Sequence, residues 1–437
     1  MTPFDAGFLF FVLPAAAALF VLAPKSLRLW CVALIGALML WLAEPRYAPL
    51  LLLSALFDYL ACRTAARRGV KSTALLLLIP ALLKDAAALA LGGVWLPLAK
   101  GIAAPFGLVV LHLSLLFVLV GVCRGNRAAL APDVFGAYLL FPGRLSVGPF
   151  VLQGRCERLL KEQNADPSAL LEGVCGVIVG AAKYVLLVLP LQGAAAALTG
   201  FAASDPSTAG AWMAALVPAM ALWLTLSALS DAAWGLGRVF GVRFPAVMRY
   251  PFGAAAVAEH IWRLNLPLSE TIGRTCFLGF RRRNGEPRTV FIAALMPFFL
   301  ALLLGTTDGL LFWAGWLAAA LLLESALLPL LQRLPRRLRA LLTLLCLLPA
   351  YAFVSGAANG LRILPMLIGS GGIPLLNERL LYLCRSNALL LIVSPILCTG
   401  LPEAFSLWLR RRRPILWRLS AALLGLPLLV LTASFLV

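Results

Sequence analysis

The stretch that decides how this chain is interpreted runs from Leu224 to Asn284 and reads LTLSALSDAAWGLGRVFGVRFPAVMRYPFGAAAVAEHIWRLNLPLSETIGRTCFLGFRRRN. A hydrophobic span leads there into a basic insert, residues 234–288, which is too polar to cross a bilayer and too apolar to be an ordinary loop. Such a segment is expected to lie along the cytoplasmic face of a membrane protein or to dip into it. The insert is therefore the first place to look for a functional site.

Composition predicts the class of the fold. The chain has 437 residues, of which 62% are hydrophobic and 13% are charged, far from the average of a soluble protein. Apolar runs long enough to cross about 30 Å of hydrocarbon recur from end to end. We predict a single all-α transmembrane domain, residues 1–437, with about twelve membrane helices. They are expected near residues 7–23, 29–43, 48–62, 72–92, 105–122, 172–198, 210–233, 289–304, 309–330, 340–356, 387–401 and 415–436.

The distribution of basic residues predicts the orientation of the chain. The net charge is +19, and with the N-terminus outside, 30 of the 37 Lys and Arg residues fall in the cytoplasmic loops or, for Arg418, at the cytoplasmic end of the last expected span. This asymmetry follows the positive-inside rule, so the expected partner is the lipid bilayer and not a nucleic acid. Both termini are predicted outside, in a cytoplasmic (inner or plasma) membrane. Asp5 precedes the first span, which favours an uncleaved anchor over a signal peptide.

A second segment, residues 128–168, also interrupts the alternation of spans and loops. Its apolar part is too short to cross the bilayer, and Phe141-Pro142-Gly143 ends it. Proline and glycine at this density prevent a continuous helix. Broken backbone at membrane depth needs surrounding protein or a cavity. We therefore predict a re-entrant or interfacial element that forms, with the insert, the walls of a site.

Several motifs in these segments resemble the membrane-bound O-acyltransferases (MBOATs) of the alginate O-acetylation type. SDAAWGLGRVFGVRFPAVMRYPF, residues 230–252, is close to the pattern SDMAIGLGRMFGFRFPENFNYPY of that branch. FPGRLSVGPFVLQGR, residues 141–155, resembles FPQLIAGPIVRY, and IWRLNLPLS, residues 261–269, falls on WRRWHISLS. Residues 279–284 fall loosely on LGGNR, and residues 382–402 resemble the C-terminal span of the family. The match covers the chain in order, and its first motif is the most specific.

The resemblance implies an all-helical ring around a central, funnel-shaped cavity. In that family an acyl donor reaches a catalytic histidine from the cytoplasmic side, and the acceptor is met from the outer side. No bound cofactor is expected, and a donor such as acetyl-CoA would be a co-substrate. The expected partner outside is an acyl-acceptor glycan or a relay acetyltransferase protein. No metal site is expected, because the nine cysteines are scattered without close pairs.

The chain departs from the family pattern at its chemical centre. The element that carries the near-invariant histidine falls on residues 304–309, which places Asp308 on the histidine position. A second family histidine falls on Asn265, a substitution that other branches of the superfamily share. The first carboxylate of the FDFSGYSD element falls on Thr225, whereas Asp231 keeps the second. We therefore take Asn265 and Asp308 as the candidate catalytic residues.

Acyl transfer to a hydroxyl needs a base with a pKa near neutrality. Asp308 could serve only if burial raised its pKa; the simpler interpretation is a solvated Thr-Asp-Gly turn. Asn265 can donate a hydrogen bond to an oxyanion but cannot act as a base. His112, inside the fifth span, is interpreted as a packing residue. His260, in the insert, is a weaker catalytic candidate because it would need a rearranged loop.

Charged residues of the insert are candidates for binding the donor or substrate. Asp231 is the acid most expected to face a cavity, because the residues before it are small and polar and let helices approach. The arginines of the insert could bind the phosphates of a coenzyme donor, although lipid headgroups are the commoner ligand. These arginines are Arg238, Arg243, Arg281, Arg282 and Arg283. Elsewhere, Lys84 inside the fourth span is expected to pair with a carboxylate.

Three functions remain open from the sequence. The first is O-acyl transfer, most plausibly of acetyl, to a cell-envelope polysaccharide or a relay protein. The second is a catalytically degenerate MBOAT homologue that acts as a scaffold, regulator or acyl conduit, which the replaced histidines favour. The third is an ion-coupled transporter, suggested by Lys84, Asp85 and Lys183 alone. It ranks last because no inverted repeat is visible.

Overall fold

The computed structural model describes residues 5, 7–68, 72–101, 104–123, 131–145, 158–160, 167–244, 247–277, 287–413 and 416. Helices account for all the regular structure in these ranges, as the composition predicts. The first half holds α1 (Phe8–Leu22), α2 (Arg28–Ala43), α3 (Ala48–Arg68), α4 (Ser72–Ala88), α5 (Leu108–Cys123), α6 (Pro132–Leu139), α7 (Pro167–Lys183) and α8 (Leu189–Ser204). The second half holds α9 (Thr208–Val239), α10 (Val257–Leu264), α11 (Leu266–Phe277), α12 (Pro287–Leu303), α13 (Asp308–Leu331), α14 (Arg336–Leu347), α15 (Ala357–Met366), α16 (Glu378–Ser386), α17 (Ala388–Leu397) and α18 (Leu401–Arg412).

Six helices among the described residues are long and apolar enough to cross a membrane, which makes the chain a polytopic membrane protein. Some combine neighbouring elements, since α4 continues through a π-helical stretch to Lys100. A seventh span results if α16 and α17, bent by 70° at Asn387, count as one. The six are Ala48–Arg67, Leu77–Lys100, Ser168–Ser204, Thr208–Val239, Asp308–Leu331 and Arg336–Ser355. Four shorter apolar helices coincide with other predicted spans, and of the range 415–436 only Leu416 is described.

Glycine contacts bring α7 and α9 together. A Cβ on Gly235 would lie 2.6 Å from the carbonyl oxygen of Gly173 and 2.7 Å from the amide nitrogen of Val177. A Cβ on Gly180 would lie 2.6 Å from the carbonyl oxygen of Ala228. The two backbones therefore touch along a seam that only small residues allow. We call this contact the α7–α9 seam, and it forms one rigid wall beside the insert.

The two broken segments of the sequence pack against each other. The Phe141 ring meets the rings of Phe240 and Phe244 edge to face, with centroids 5.9 and 4.8 Å apart. Gly143 lies against α9, where a Cβ would meet the carbonyl oxygen of Ala233 at 2.8 Å. As predicted, α6 has only eight residues and is too short to cross. The buried Arg144 anchors this segment to α5 by donating to the Ser114 hydroxyl at 2.9 Å.

Candidate functional site

Asp231 lies on the α7–α9 seam and is paired one to one with a lysine. Lys183 Nζ is 2.5 Å from Asp231 Oδ2 and donates to Ser227 Oγ at 3.1 Å. Both charged side chains are partly exposed. The small residues of the seam allow α7 to bring Lys183 close to Asp231. The seam therefore explains why Asp231, the acid predicted to face a cavity, is held in place.

The arginines predicted to bind the donor are in different situations. Arg238 pairs with Glu172 across the same seam and lies over the Trp234 ring at 5.9 Å, so its charge is already compensated. Arg243 is exposed and remains available to an anionic ligand. Arg281, Arg282 and Arg283 lie outside the described residues. The predicted arginine cluster is therefore described only in part.

A carboxylate from α13 fixes the start of α10. Both oxygens of Glu324 accept from the amide of Val257, at 2.9 and 3.0 Å, and Oε2 also accepts from the amide of Ala258 at 3.2 Å. Within the insert, Arg263 donates to Glu259 at 2.5 Å and to the carbonyl of Tyr250 at 2.8 Å. A charged cap satisfies the free amides of a helix start and complements its dipole. The position of α10 is consequently determined from both ends.

His260 is buried at the centre of this arrangement. Its Nδ1 lies 3.0 Å from the carbonyl oxygen of Pro251, so Nδ1 carries the proton and donates it there. Nε2 then accepts from the Tyr351 hydroxyl at 2.8 Å. Burial, only partly offset by the Pro251 carbonyl, lowers the pKa of His260 to about 4, and the nearby charge of Arg263 adds to the effect. The imidazole is neutral at pH 7, and both nitrogens are engaged.

Asn265 joins α10 to α11 and is buried. Its side-chain oxygen caps α11 by accepting from the Leu268 amide at 3.1 Å. Among the described residues, neither its Nδ2 nor the buried Oγ of Ser269, one turn further on, has a hydrogen-bond partner. Two unsatisfied polar groups so close together are costly without a ligand or water. The start of α11 therefore offers donors to a polar atom from outside the described residues.

Asp308 occupies a different environment from Asn265. It is exposed at the first position of α13, and its Oδ1 accepts from the amide of Gly309 at 2.7 Å. Thr307 caps the helix by accepting from the Leu310 amide at 3.2 Å. The Thr-Asp-Gly element is thus a regular helix start and not an isolated turn.

A cavity of about 700 Å³ lies beside this helix start. Most of its wall is small and apolar, with a minority of polar side chains, a composition typical of ligand pockets. Among the described residues that line it, Arg362 alone is charged. Thr225, at the position of the missing family carboxylate, is one of the polar residues, and its hydroxyl donates to the Ala221 carbonyl at 2.7 Å. The other polar residues are Gln192, Thr199, Thr307, Ser355 and Asn359.

His260 and Asp308 lie on different sides of this region. Asp308 begins α13 whereas Glu324, which caps α10, lies sixteen positions later, a rise of about 24 Å along the helix. His260 contacts the cavity wall indirectly: its partner Tyr351 belongs to the 3₁₀ helix Leu348–Ser355, whose last two residues line the cavity. The structure therefore groups Asn265 with His260, through the short helix α10, and Asp308 with the cavity.

The sequence alone did not single out the polar lining of the cavity. Arg362 and Asn359 fall between the predicted spans 340–356 and 387–401, and Gln192 falls inside the predicted span 172–198. The available signal was a pair of polar residues three positions apart, Asn359 and Arg362, which share one face of a helix. Among the described residues, no group of three or more His, Cys, Asp or Glu is placed to hold a metal ion.

Together, the helices and the cavity define a polytopic, all-helical membrane protein with a mostly apolar pocket that carries several polar side chains. No protein-family model matches the chain. It is 26% identical over 231 residues to the probable alginate O-acetylase AlgI of Azotobacter vinelandii, covering 52% of this chain and 45% of that protein. It is 25% identical over 231 residues to the protein of the same name in Pseudomonas aeruginosa, with 52% and 44% covered.

A third relative, the probable alginate O-acetylase AlgI of Pseudomonas putida, is 26% identical over 231 residues, with 51% of this chain and 46% of that protein covered. The chain is therefore similar over about half its length to the alginate O-acetylases, and its motifs resemble the same MBOAT-like branch. The matched region spans less than half the length of these curated relatives.

Proposed function

We propose that this chain is a membrane-bound O-acyltransferase-like protein that serves the acetylation of a cell-envelope polysaccharide, directly or through a relay protein. The observation that carries the proposal is the cavity of about 700 Å³ bordered by Gly305 and Thr307, within the element that falls on the family's histidine motif. Its mixed lining suits a sugar acceptor. The name of the relatives, probable alginate O-acetylase, supports the same chemistry.

The proposed architecture is the full family arrangement. About twelve spans would surround the cavity, with both termini outside a cytoplasmic membrane and the insert inside. In that orientation the cavity lining, from Thr199 to Arg362, opens to the outer side, where an acceptor would enter. The donor, such as acetyl-CoA, would approach along the insert, with Arg243 on its exposed surface.

Asn265 is the proposed positioning group for the acyl carbonyl. Its Nδ2 is buried without a partner among the described residues. A donor aimed at a developing oxyanion lowers the barrier to acyl transfer most effectively in a site from which water is excluded. The hydroxyl of Ser269 would add a second donor at the same helix start.

The test measures transfer of radiolabelled acetyl from acetyl-CoA in membrane vesicles, followed by release of acetate with mild base. We expect ester-linked label in the envelope polysaccharide or a membrane protein only when acetyl-CoA is on the cytoplasmic face. Asn265→Ser keeps a capping oxygen but removes the amide donor, and should lower transfer roughly 10²-fold. Asn377→Ser is the matched control, because Asn377 caps α16 in the same way. Equal activity in both variants would contradict the role of Asn265.

A catalytically degenerate homologue is the second candidate function. The observation that favours it is the engagement of both candidate bases: Asp308 is exposed and bonded to the Gly309 amide, and His260 uses both nitrogens. In this case the parent protein should transfer no acetyl in the vesicle assay. Asp308→His, which restores the family residue, would then gain activity. An active parent would exclude the degenerate function.

A further inference from the structure

Five polar side chains meet between the apolar helices α3, α4 and α5, apart from the site described above. We name them the α3–α5 cluster: Ser54, Asp58, Lys84, Asp85 and His112. Asp58 and Asp85 are fully buried and His112 nearly so, whereas Lys84 is partly exposed. Asp58 lies ten residues from either end of α3, about 15 Å along the helix. The cluster therefore lies midway along this helix, whereas the predicted span 48–62 placed Asp58 near its end.

One lysine contacts both acids. Lys84 Nζ is 2.6 Å from Asp58 Oδ2 and 2.9 Å from Asp85 Oδ1, which confirms that Lys84 pairs with carboxylates. It also donates to Ser54 Oγ at 2.5 Å. Because both carboxylates contact the same nitrogen, they lie close to each other, within hydrogen-bonding reach. Two like charges at that separation in apolar surroundings strongly disfavour double ionisation.

The hydrogen-bond directions leave His112 neutral. Its Nδ1 is 2.9 Å from the Leu108 carbonyl oxygen, which can only accept, so Nδ1 carries the proton. Nε2 lies 3.2 Å from Ser54 Oγ. Since Lys84 donates to that hydroxyl, the hydroxyl is free to donate onward to Nε2. The imidazole therefore has both nitrogens engaged without a second proton.

With His112 neutral and both acids ionised, the cluster would carry one uncompensated negative charge. Two carboxylates face one ammonium, and an uncompensated charge inside a membrane is costly. Among the described residues, Asp58 Oδ1 and Asp85 Oδ2 have no hydrogen-bond partner, and Asp85 Oδ1 has only the ion pair with Lys84. The titratable groups beside the cluster do not correct this deficit: Cys62 on α3 and Cys123 on α5 are thiols, which carry no positive charge.

We propose that the α3–α5 cluster is a proton-binding site, in which Asp85 carries one proton and shares it with Asp58. The added proton forms an O–H bond on Asp85, and this hydroxyl donates to the free Oδ1 of Asp58, so that no other bond changes. Asp58 stays ionised because it is the acid that accepts the hydrogen bond from Lys84. The site then holds one ammonium, one carboxylate and one carboxylic acid, with zero net charge. The ligand of this site is a proton.

The Lys183–Asp231 pair, in the same chain, has equal numbers of positive and negative groups. There one ammonium faces one carboxylate, with Ser227 as the additional acceptor. Among the described residues no second carboxylate forms an ion pair with Lys183, and Glu403 acts on Asp231 only through its charge. Asp231 is therefore expected to stay ionised. It is a natural internal control for Asp85, because both acids lie in spans and contact a lysine.

The experiment is labelling of the full-length protein in native membranes with dicyclohexylcarbodiimide, which adds to protonated carboxyl groups in apolar surroundings. Peptide mass spectrometry at pH 7 should find the adduct on Asp85 and none on Asp231. Asp58→Asn should abolish the adduct on Asp85, since Asp85 then becomes the only carboxylate paired with Lys84 and ionises. Lys84→Met should extend it to Asp58. Labelling of Asp231 equal to that of Asp85, or protection of Asp85 by sodium ions, would overturn the proposal.

An infrared measurement tests the proposal even if Asp58→Asn or Lys84→Met fails to fold. Asp85→Asn mimics the neutral acid and should fold with unchanged thermal stability. The parent should show a carbonyl stretch of a protonated carboxyl that shifts in heavy water, and this band should be absent in Asp85→Asn. A parent spectrum without such a band between pH 5 and pH 8 would show that both acids are ionised. That result would refute the proton site and leave the proposed acyltransferase function untouched.

Discussion

The insert region and the cavity region differ in the surroundings of their polar groups, which are mostly bonded and packed in the first and face open space in the second. In the insert region, which comprises the α7–α9 seam, α10 and Asn265, backbones touch and carboxylates cap buried amides. In the cavity region, which comprises the cavity lining and Asp308, polar side chains face open space and the acid is exposed. A substitution in the first region should therefore change folding or position, whereas one in the second should change what the cavity binds.

The largest effect should come from the α7–α9 seam. In Gly235→Val even the new Cβ would lie 2.6 to 2.7 Å from backbone atoms of α7, and these cannot move away singly. We expect a loss of stability at or above the upper end of the ~1–3 kcal/mol typical of overpacking, measured as the thermal unfolding of the purified protein in detergent. Gly315→Val in α13 is the control, because nothing lies within 4 Å of a Cβ there. Equal stability of the two variants would contradict the seam.

The sequence predicted this region well because its signals are local. The small residues before Asp231 indicated a close helix contact, and the proline and glycine residues near Phe141 indicated a broken segment. Both predictions rest on residues within one or two turns of each other. The sequence could not supply the partners: that Glu324 would cap α10 depends on a contact between residues 66 and 67 positions apart.

An intermediate effect should appear as a pH dependence of stability. His260 has a pKa of about 4 in the folded protein against an ordinary value of 6.5. Between these values the unfolded chain binds more protons, so the stability that neutral His260 contributes is complete above pH 6.5 and lost as the pH falls towards 4. At pH 5 the loss should be about 2 kcal/mol.

The measurement for His260 is a comparison of unfolding temperatures from pH 7.5 to pH 4.5 in the parent and in His260→Gln. The difference between the two proteins isolates His260 from His112 and the carboxylates. We expect the two curves to converge on acidification. Parallel curves would mean that His260 is not the buried neutral group that its bonds to Pro251 and Tyr351 indicate.

The cavity region was predicted poorly for a physical reason. Its lining comes from α8, α9, α15 and the residues before α13, so that no stretch of sequence contains a recognisable part of it. Only the family resemblance pointed there, through Thr225 and the element around Asp308. Arg362 looked like an ordinary basic residue of a loop because its significance depends on which helices enclose it.

The smallest effect on stability should follow from Asp308→Asn. The exposed carboxylate interacts with the start of α13 and with the Gly309 amide, and asparagine keeps an oxygen for that bond. Only the charge–dipole attraction is lost, worth about 0.3–1 kcal/mol at an exposed helix start. Because Asp308 is exposed and bonded to the start of its own helix, it holds no buried position beside a substrate, and acetyl transfer should be unchanged. A fall of roughly 10²-fold or more in transfer, with folding intact, would instead make Asp308 the general base. The cavity region would then hold the catalytic residue itself, and the contrast between the two regions would be one of chemistry as well as packing.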